Sequence, residues 1–151
     1  MSENKLILAS QSPRRKTLLA QLGYTFKVQV SDIDESIAVD ESPADYVLRL
    51  ALEKAQKVFQ TLPSLEKKSA VVLGSDTSVV INNITLGKPE TLNDCIKTLS
   101  LLSDQQHQVL TAVAVISDRK IKTQLVTTNV FFKALTLAEI EAYWQTGEPQ
   151  D

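Results

Sequence analysis

Cysteine occurs once in these 151 residues, at Cys95, so no disulfide framework within the chain can hold it together. Cys95 shares a helical apolar pattern with Leu92, Ile96 and Leu99, the setting of a buried, inert thiol and not of a nucleophile or ligand. Histidine also occurs once, at His107, with no second His or Cys nearby, and reads as a structural or surface residue. The motifs of several phosphate and hydrolytic chemistries are missing: no GxxxxGKS/T loop, no GxGxxG, no GxSxG and no HExxH. No apolar run is long enough to span a bilayer, and the first five residues lack the apolar core of a signal peptide. The expectation is a cytoplasmic protein with no membrane partner. A strong positive balance is lacking too: the formal net charge is −2, which argues against a nucleic-acid surface held by bulk charge. A small anionic ligand needs only a few local cations and is not excluded.

What is present is ordinary for a globular chain. Apolar residues make up 43% and charged residues 23%, and the length suits one domain with a real core. There are no repeats, low-complexity tracts or interdomain linkers, so residues 1–151 read as a single domain. Lys5–Ser10 reads as a buried strand, followed by a helix from Pro13 that stops at Gly23. Thr25–Val30 alternates like a second strand and leads into the acidic loop Ser31–Glu35. Ser42–Asp45 reads as a capping box opening a helix to about Gln60, and Thr61–Ser69 as a polar connection. Ala70–Leu73 and Ser78–Ile81 read as strands with Gly74–Thr77 as a break between them. The Asn82, Asn83 pair signals a hairpin returning through Ile84–Leu86. Thr91 caps a helix to about Leu102. Gln108–Ile116 and Ile121–Phe132 read as strands, and Thr136 opens a helix ending at Gly147. Strands alternating with helices, plus two hairpins, predict an α/β fold with a mixed twisted sheet flanked by helices.

The stretch Ser10–Arg15 (SQSPRR) carries the first chemical signal. Ser12 is a natural N-cap and Pro13 suits the first helical position. The first turn then holds Arg14 and Arg15 and no acid, although the positive end of a helix favours carboxylates. Either the turn is simply solvated, or an anion joins the two cations at a helix N-terminus following a strand. Lys54 is the second signal: it falls in the middle of the stripe Val47, Leu50, Ala51, Ala55, Val58. It either snorkels at the flank or reaches an anion in a cleft. Asp76 and Thr77 lie in the apparent strand break, where a functional group or a plain turn aspartate fits equally. Lys88 precedes Pro89, which restricts it to extended backbone. Asp32, Asp34 and Glu35 are hard oxygen donors that could take a divalent cation, or an exposed acidic loop. The inventory is four cations, two acids at Glu35 and Asp76, and hydroxyls at Ser10, Ser12 and Thr77. Such a set suits a polyphosphate site, with cations offsetting charge and a carboxylate orienting or deprotonating water.

Six pieces in one order resemble the Maf family of nucleoside triphosphate pyrophosphatases, related in fold to the inosine triphosphatases. They are Leu8–Arg15, Asp34 with Glu35, Leu50–Ala55, Gly74–Thr77, Leu86–Pro89 and His107–Ala114, and together they cover nearly the whole chain. The resemblance implies Asp76 as catalytic general base, and Ser10, Ser12, Arg14, Lys54 and Lys88 as phosphate contacts, with Arg15 counted among the substrate-binding residues. It implies Glu35 and Asp76 as holders of Mg²⁺ or Mn²⁺, and Thr77 with Arg14 as determinants of base preference. SPRR paired with Asp76, Thr77 resembles the dTTP/UTP branch; the 7-methyl-GTP branch carries Trp after the Pro and Gln after the Asp. The implied partner is a nucleoside triphosphate, with homodimerisation left open. Family members continue past the match at Gly147–Asp151 into further sheet and helix, so the resemblance implies a chain incomplete at its C-terminal side. Two other readings stand beside it: a nucleotide-binding module that does not turn over, and an aspartyl-phosphate phosphatase echoed in Asp32 and Asp34. Against the last, Lys27 and Gln29 alternate through the preceding strand instead of leaving it apolar on both faces.

Overall fold

A computed structural model describes residues 4–30 and 32–150. The first three residues of the N-terminal segment, Ser31 at the start of the acidic loop and Asp151 at the end of the Gly147–Asp151 match lie outside the described residues. The elements are β1 (Lys5–Leu8), α1 (Pro13–Gln21), β2 (Phe26–Val28), α2 (Pro43–Thr61), α3 (Ser64–Lys67), β3 (Ala70–Ile81) and β4 (Ile84–Leu86). After them come α4 (Leu92–Leu102), β5 (Gln106–Ile116), β6 (Ile121–Phe131) and α5 (Leu137–Gln145), with a 3-10 turn at Glu148–Gln150. Six strands form one mixed sheet in the order β2-β1-β3-β5-β6, with β4 paired to β3. Strand β1 runs parallel to both neighbours, Leu6 opposite Phe26 on one side and opposite Val71 on the other. Strand β4 is antiparallel to β3, with Ile81 opposite Ile84. The α/β fold with a mixed sheet and flanking helices is as the sequence predicts.

The chain packs as two compact units, one running up to Thr77 and including Thr111–Val126, the other formed by Ser78–Leu110 and from Thr127 onward. In the first, the buried stripe of α2 (Val47, Leu50, Ala51, Ala55, Val58) and strand residues Leu8 and Val72 make the core. Each such fully buried Leu or Val contributes about 1.5–3 kcal/mol relative to exposure. In the second, Cys95 and Leu102 of α4, Val80, Leu110 and Ile140 are buried. Burial pushes the Cys95 thiol up from its ordinary value, in keeping with an inert side chain.

Helix starts follow local chemistry. Ser12 accepts from the Arg15 amide at 3.4 Å, with Pro13 at the first position. Thr91 and Asp94, and again Thr136 and Glu139, form reciprocal capping boxes. At Ser42 the hydroxyl accepts from the Asp45 amide at 3.1 Å, and the reciprocal half of the expected box is not formed. Thr91→Ala is expected to destabilise the protein by about 1 kcal/mol and Thr91→Gly by only about a few tenths, measurable by urea denaturation. The Asn82, Asn83 hairpin has both residues at positive φ, 51° and 62°, as its twist requires.

Three further expectations need correction. Gly74–Thr77 is not a break: β3 runs unbroken through it. Small polar residues continue the strand because Ser75 is satisfied inside the sheet, donating to the Ala112 carbonyl at 2.9 Å, and because Gly74 lies against α2. The polar connection after α2 contains the short helix α3. Strand β2 is shorter than expected, and it is a sheet edge, which agrees with its alternating polar residues.

Candidate active site

The first unit gathers most of the chemistry-bearing residues named from sequence. Strand β1 delivers Ser10, which is buried just past its end, and the loop turns into α1 at Ser12. The Ser10 hydroxyl accepts from the Ser12 amide at 3.1 Å and from Arg15 Nη1 at 3.3 Å. Arg15 Nη2 reaches Thr77 Oγ1 at 3.2 Å, and Thr77 shares a 3.2 Å hydrogen bond with Thr111 on β5. Burial lowers the Arg15 pKa, and the carboxylates of Asp76 and Glu35 oppose that shift. Arg14 is exposed on the same turn. Ser12 spends an acceptor lone pair on the cap, which leaves its O–H as a donor.

Lys54 is turned inward to two carboxylates of the chain itself. Its ammonium lies 2.9 Å from Asp76 Oδ1 and 3.1 Å from Glu35 Oε1. The Lys54 and Asp76 side chains are mostly buried, at 19% and 12% exposure, while Glu35 is open to solvent at 57%. The close approach that makes this contact rests on Gly74. A Cβ there would stand 2.4 Å from the Ala51 carbonyl oxygen and 2.9 Å from the Ala55 nitrogen. With no side chain at Gly74, α2 settles onto β3 and Lys54 meets Asp76, two residues further along the strand.

Whether this set suits a divalent cation is answered by what already sits there. Two carboxylates from distant segments converge on one ammonium, so their oxygens can share a cation. Both are hard donors, and Mg²⁺ is commonly bound through one or two carboxylates with substrate phosphate and water completing its shell. Among the described residues no group of three or more His, Cys, Asp and Glu gathers as a metal cluster. Glu35 and Asp76 alone would thus leave most of such a cation's shell to phosphate and water. Asp34, by contrast, is turned into its own loop, accepting from the Ser36 amide at 2.9 Å and hydroxyl at 2.6 Å. Those bonds hold its carboxyl below the ordinary range.

Lys88 lies in the second unit, exposed ahead of Pro89, and is not among the residues the first unit brings together. His107, in that same unit, is buried edge-on to Phe132 at 4.7 Å, and burial lowers its pKa. It is a structural histidine. Thr111, Tyr46 and Arg49 join this neighbourhood without standing out in the sequence. Thr111 gives no sequence signal, because it meets Thr77 only through sheet assembly. Tyr46 and Arg49 carried a weak one, lying three apart on α2 beside its buried stripe.

Fold and cluster together define an α/β protein with a group of cations and hydroxyls set beside paired carboxylates. The family is specific: residues 5–151 match the Maf family, described as Maf-like protein, and the chain belongs to it. It is 62% identical over 150 residues to a Colwellia psychrerythraea protein named dTTP/UTP pyrophosphatase, covering 99% of this chain and 71% of that one. A Vibrio vulnificus protein of the same name is 53% identical over 148 residues, covering 98% of this chain and 77% of that one. A crystal structure of a Vibrio cholerae protein matches in fold, with TM-score 0.50 and 13% identity over 99% of this chain and 76% of that one.

Proposed function

We propose that this chain is a metal-dependent nucleoside triphosphate pyrophosphatase acting on dTTP and UTP, and on related modified pyrimidine nucleotides. The observation that carries the reading is Lys54, held between Glu35 and Asp76, in the unit where Arg15 ties Ser10 to Thr77. The two relatives' shared name supports the substrate class.

The four charged side chains at the centre, Arg15, Lys54, Glu35 and Asp76, sum to no net charge, too little to offset a triphosphate by themselves. Mg²⁺ or Mn²⁺ held by Glu35 and Asp76 would supply the missing positive charge and polarise the phosphate oxygens. The chain's own groups do the rest. Arg15 and Arg14 bind phosphate oxygens, and Ser10 and Ser12 offer hydroxyls at the mouth of α1, whose free amides favour anions. Lys54 trades a carboxylate partner for phosphate and stabilises charge that builds as the reaction proceeds. Asp76 takes a proton from a water molecule attacking the α-phosphorus. The bond from that phosphorus to the bridging oxygen breaks, and pyrophosphate leaves with the electron pair. Thr77 and Arg14 bear on which base is accepted.

The test is product analysis with dTTP and UTP against a panel of other triphosphates. Monophosphate and pyrophosphate are expected from the pyrimidine pair, falling to background when a chelator removes divalent ions and returning when Mg²⁺ or Mn²⁺ is restored. Orthophosphate as the first product would favour the phosphatase reading. Nucleotide-dependent stabilisation without any product would favour a binding module.

A further inference from the structure

The segment from Asp34 to Glu41 has no helix or strand of its own, yet it presents Glu35 to Lys54 at 3.1 Å. What holds it is α2. Arg49 Nε and Nη2 grip the two carboxylate oxygens of Glu41 at 2.7 and 2.9 Å, and Nη2 also donates to the Ser36 carbonyl at 2.8 Å. Glu41 in turn accepts from the Ala38 amide at 3.1 Å. Tyr46, whose ring lies 5.6 Å from the Arg49 guanidinium carbon, donates its hydroxyl to the Glu35 backbone carbonyl. Glu53, one turn on from Arg49, braces the guanidinium at 3.3 Å. Both ends of the segment are therefore tied to the helix that carries Lys54.

We propose that Arg49 and Tyr46 are positioning residues, which clamp segment 34–41 onto α2 so that the Glu35 carboxylate is presented beside Asp76. The proposal deepens the reading of the site given above and rests on it for the role of Glu35. The clamp itself is a matter of hydrogen bonds and stands apart from turnover. Its geometry asks for Arg in particular. A lysine at 49 gathers its donors at one point on a flexible stem and lacks the planar fork that meets both carboxylate oxygens side by side while reaching the carbonyl.

Amide hydrogen exchange and turnover, measured on the same variants, test the clamp. In Arg49→Gln and in Arg49→Lys, exchange at Ser36 and Ala38 is expected to speed up by about tenfold to a hundredfold, the range that losing charged hydrogen bonds supports. Protection in β1 and β3 should be unchanged. Tyr46→Phe should give a smaller loss confined to the Glu35 end. Pyrophosphate release should fall mainly in kcat, with more Mg²⁺ needed for half-maximal rate. Because Arg49 acts through Glu35, Arg49→Gln placed on a Glu35→Gln background should cost nothing further. Unchanged exchange at Ser36 and Ala38, or full additivity of the two substitutions, would overturn the clamp. Absence of pyrophosphate release from the unsubstituted protein would overturn the proposed function, while the exchange result decides the clamp in either case.

Discussion

Asp76→Asn is expected to lower pyrophosphate release from dTTP by about 10²–10⁴-fold, the usual cost of removing a general base, with the fold retained. The replacement is close in shape, and its amide oxygen can still accept from Lys54. The ammonium also keeps Glu35, 3.1 Å away, so no buried charge is orphaned. The stability cost should therefore stay within about 1–3 kcal/mol, the scale of one charged hydrogen bond. Urea denaturation and steady-state assays on the same preparation separate the two effects. Turnover near that of the unsubstituted protein would remove Asp76 from the chemistry.

The second large effect is structural and arises two residues away on the same strand. Gly74→Ala would place a Cβ 2.4 Å from the Ala51 carbonyl and 2.9 Å from the Ala55 nitrogen and Cβ. Two of those atoms are helix backbone, which cannot swing aside as a side chain can. Helix α2 must shift outward or β3 must bend. Overpacking of this kind costs about 1–3 kcal/mol, and Gly74→Val should exceed it. The shift also draws Lys54 away from Asp76, so activity should drop even at temperatures where the variant is folded. A melting curve and an assay well below its midpoint would show both effects. A Gly74→Ala variant within about 0.5 kcal/mol of its parent, the range of an ordinary surface change, would contradict the close approach.

The two predictions share a cause. Site and core in the first unit are one piece of packing, since Ala51 and Ala55, which receive Gly74, flank Lys54 on the same helix. Stability and chemistry should therefore respond together at Gly74 and separately at Asp76.

How far the sequence reached is clearest residue by residue. Lys54 was legible as an anomaly, a charge in an apolar stripe, but its partners were not. Asp76 stands out in the sequence as a candidate acid, but its local sequence suggests a break where the structure has a continuous strand. Gly74–Thr77 looks like a turn to any local reading, because glycine, serine and aspartate are turn residues. The strand survives there because Ser75 is satisfied by β5 and Gly74 by α2, both remote in sequence. Arg49 and Tyr46 escaped notice because surface arginines and tyrosines are common and only the folded loop gives these two something to hold.

Local order belonged to the sequence alone. Ser12 with Pro13, Thr91 with Asp94, Thr136 with Glu139 and the Asn82, Asn83 turn each act over at most three residues, and neighbouring side chains suffice to settle such contacts. Family membership was legible for a related reason, since it lies in short motifs kept in order along the chain. Tertiary structure alone decided which charges meet. Lys54 and Asp76 are 22 residues apart, Thr77 and Thr111 34, and Arg15 and Thr77 62. Those encounters depend on β1 pairing in parallel with β3 and on α2 lying close over Gly74. Sheet register and interelement packing are long-range and cooperative, so no window of sequence contains them.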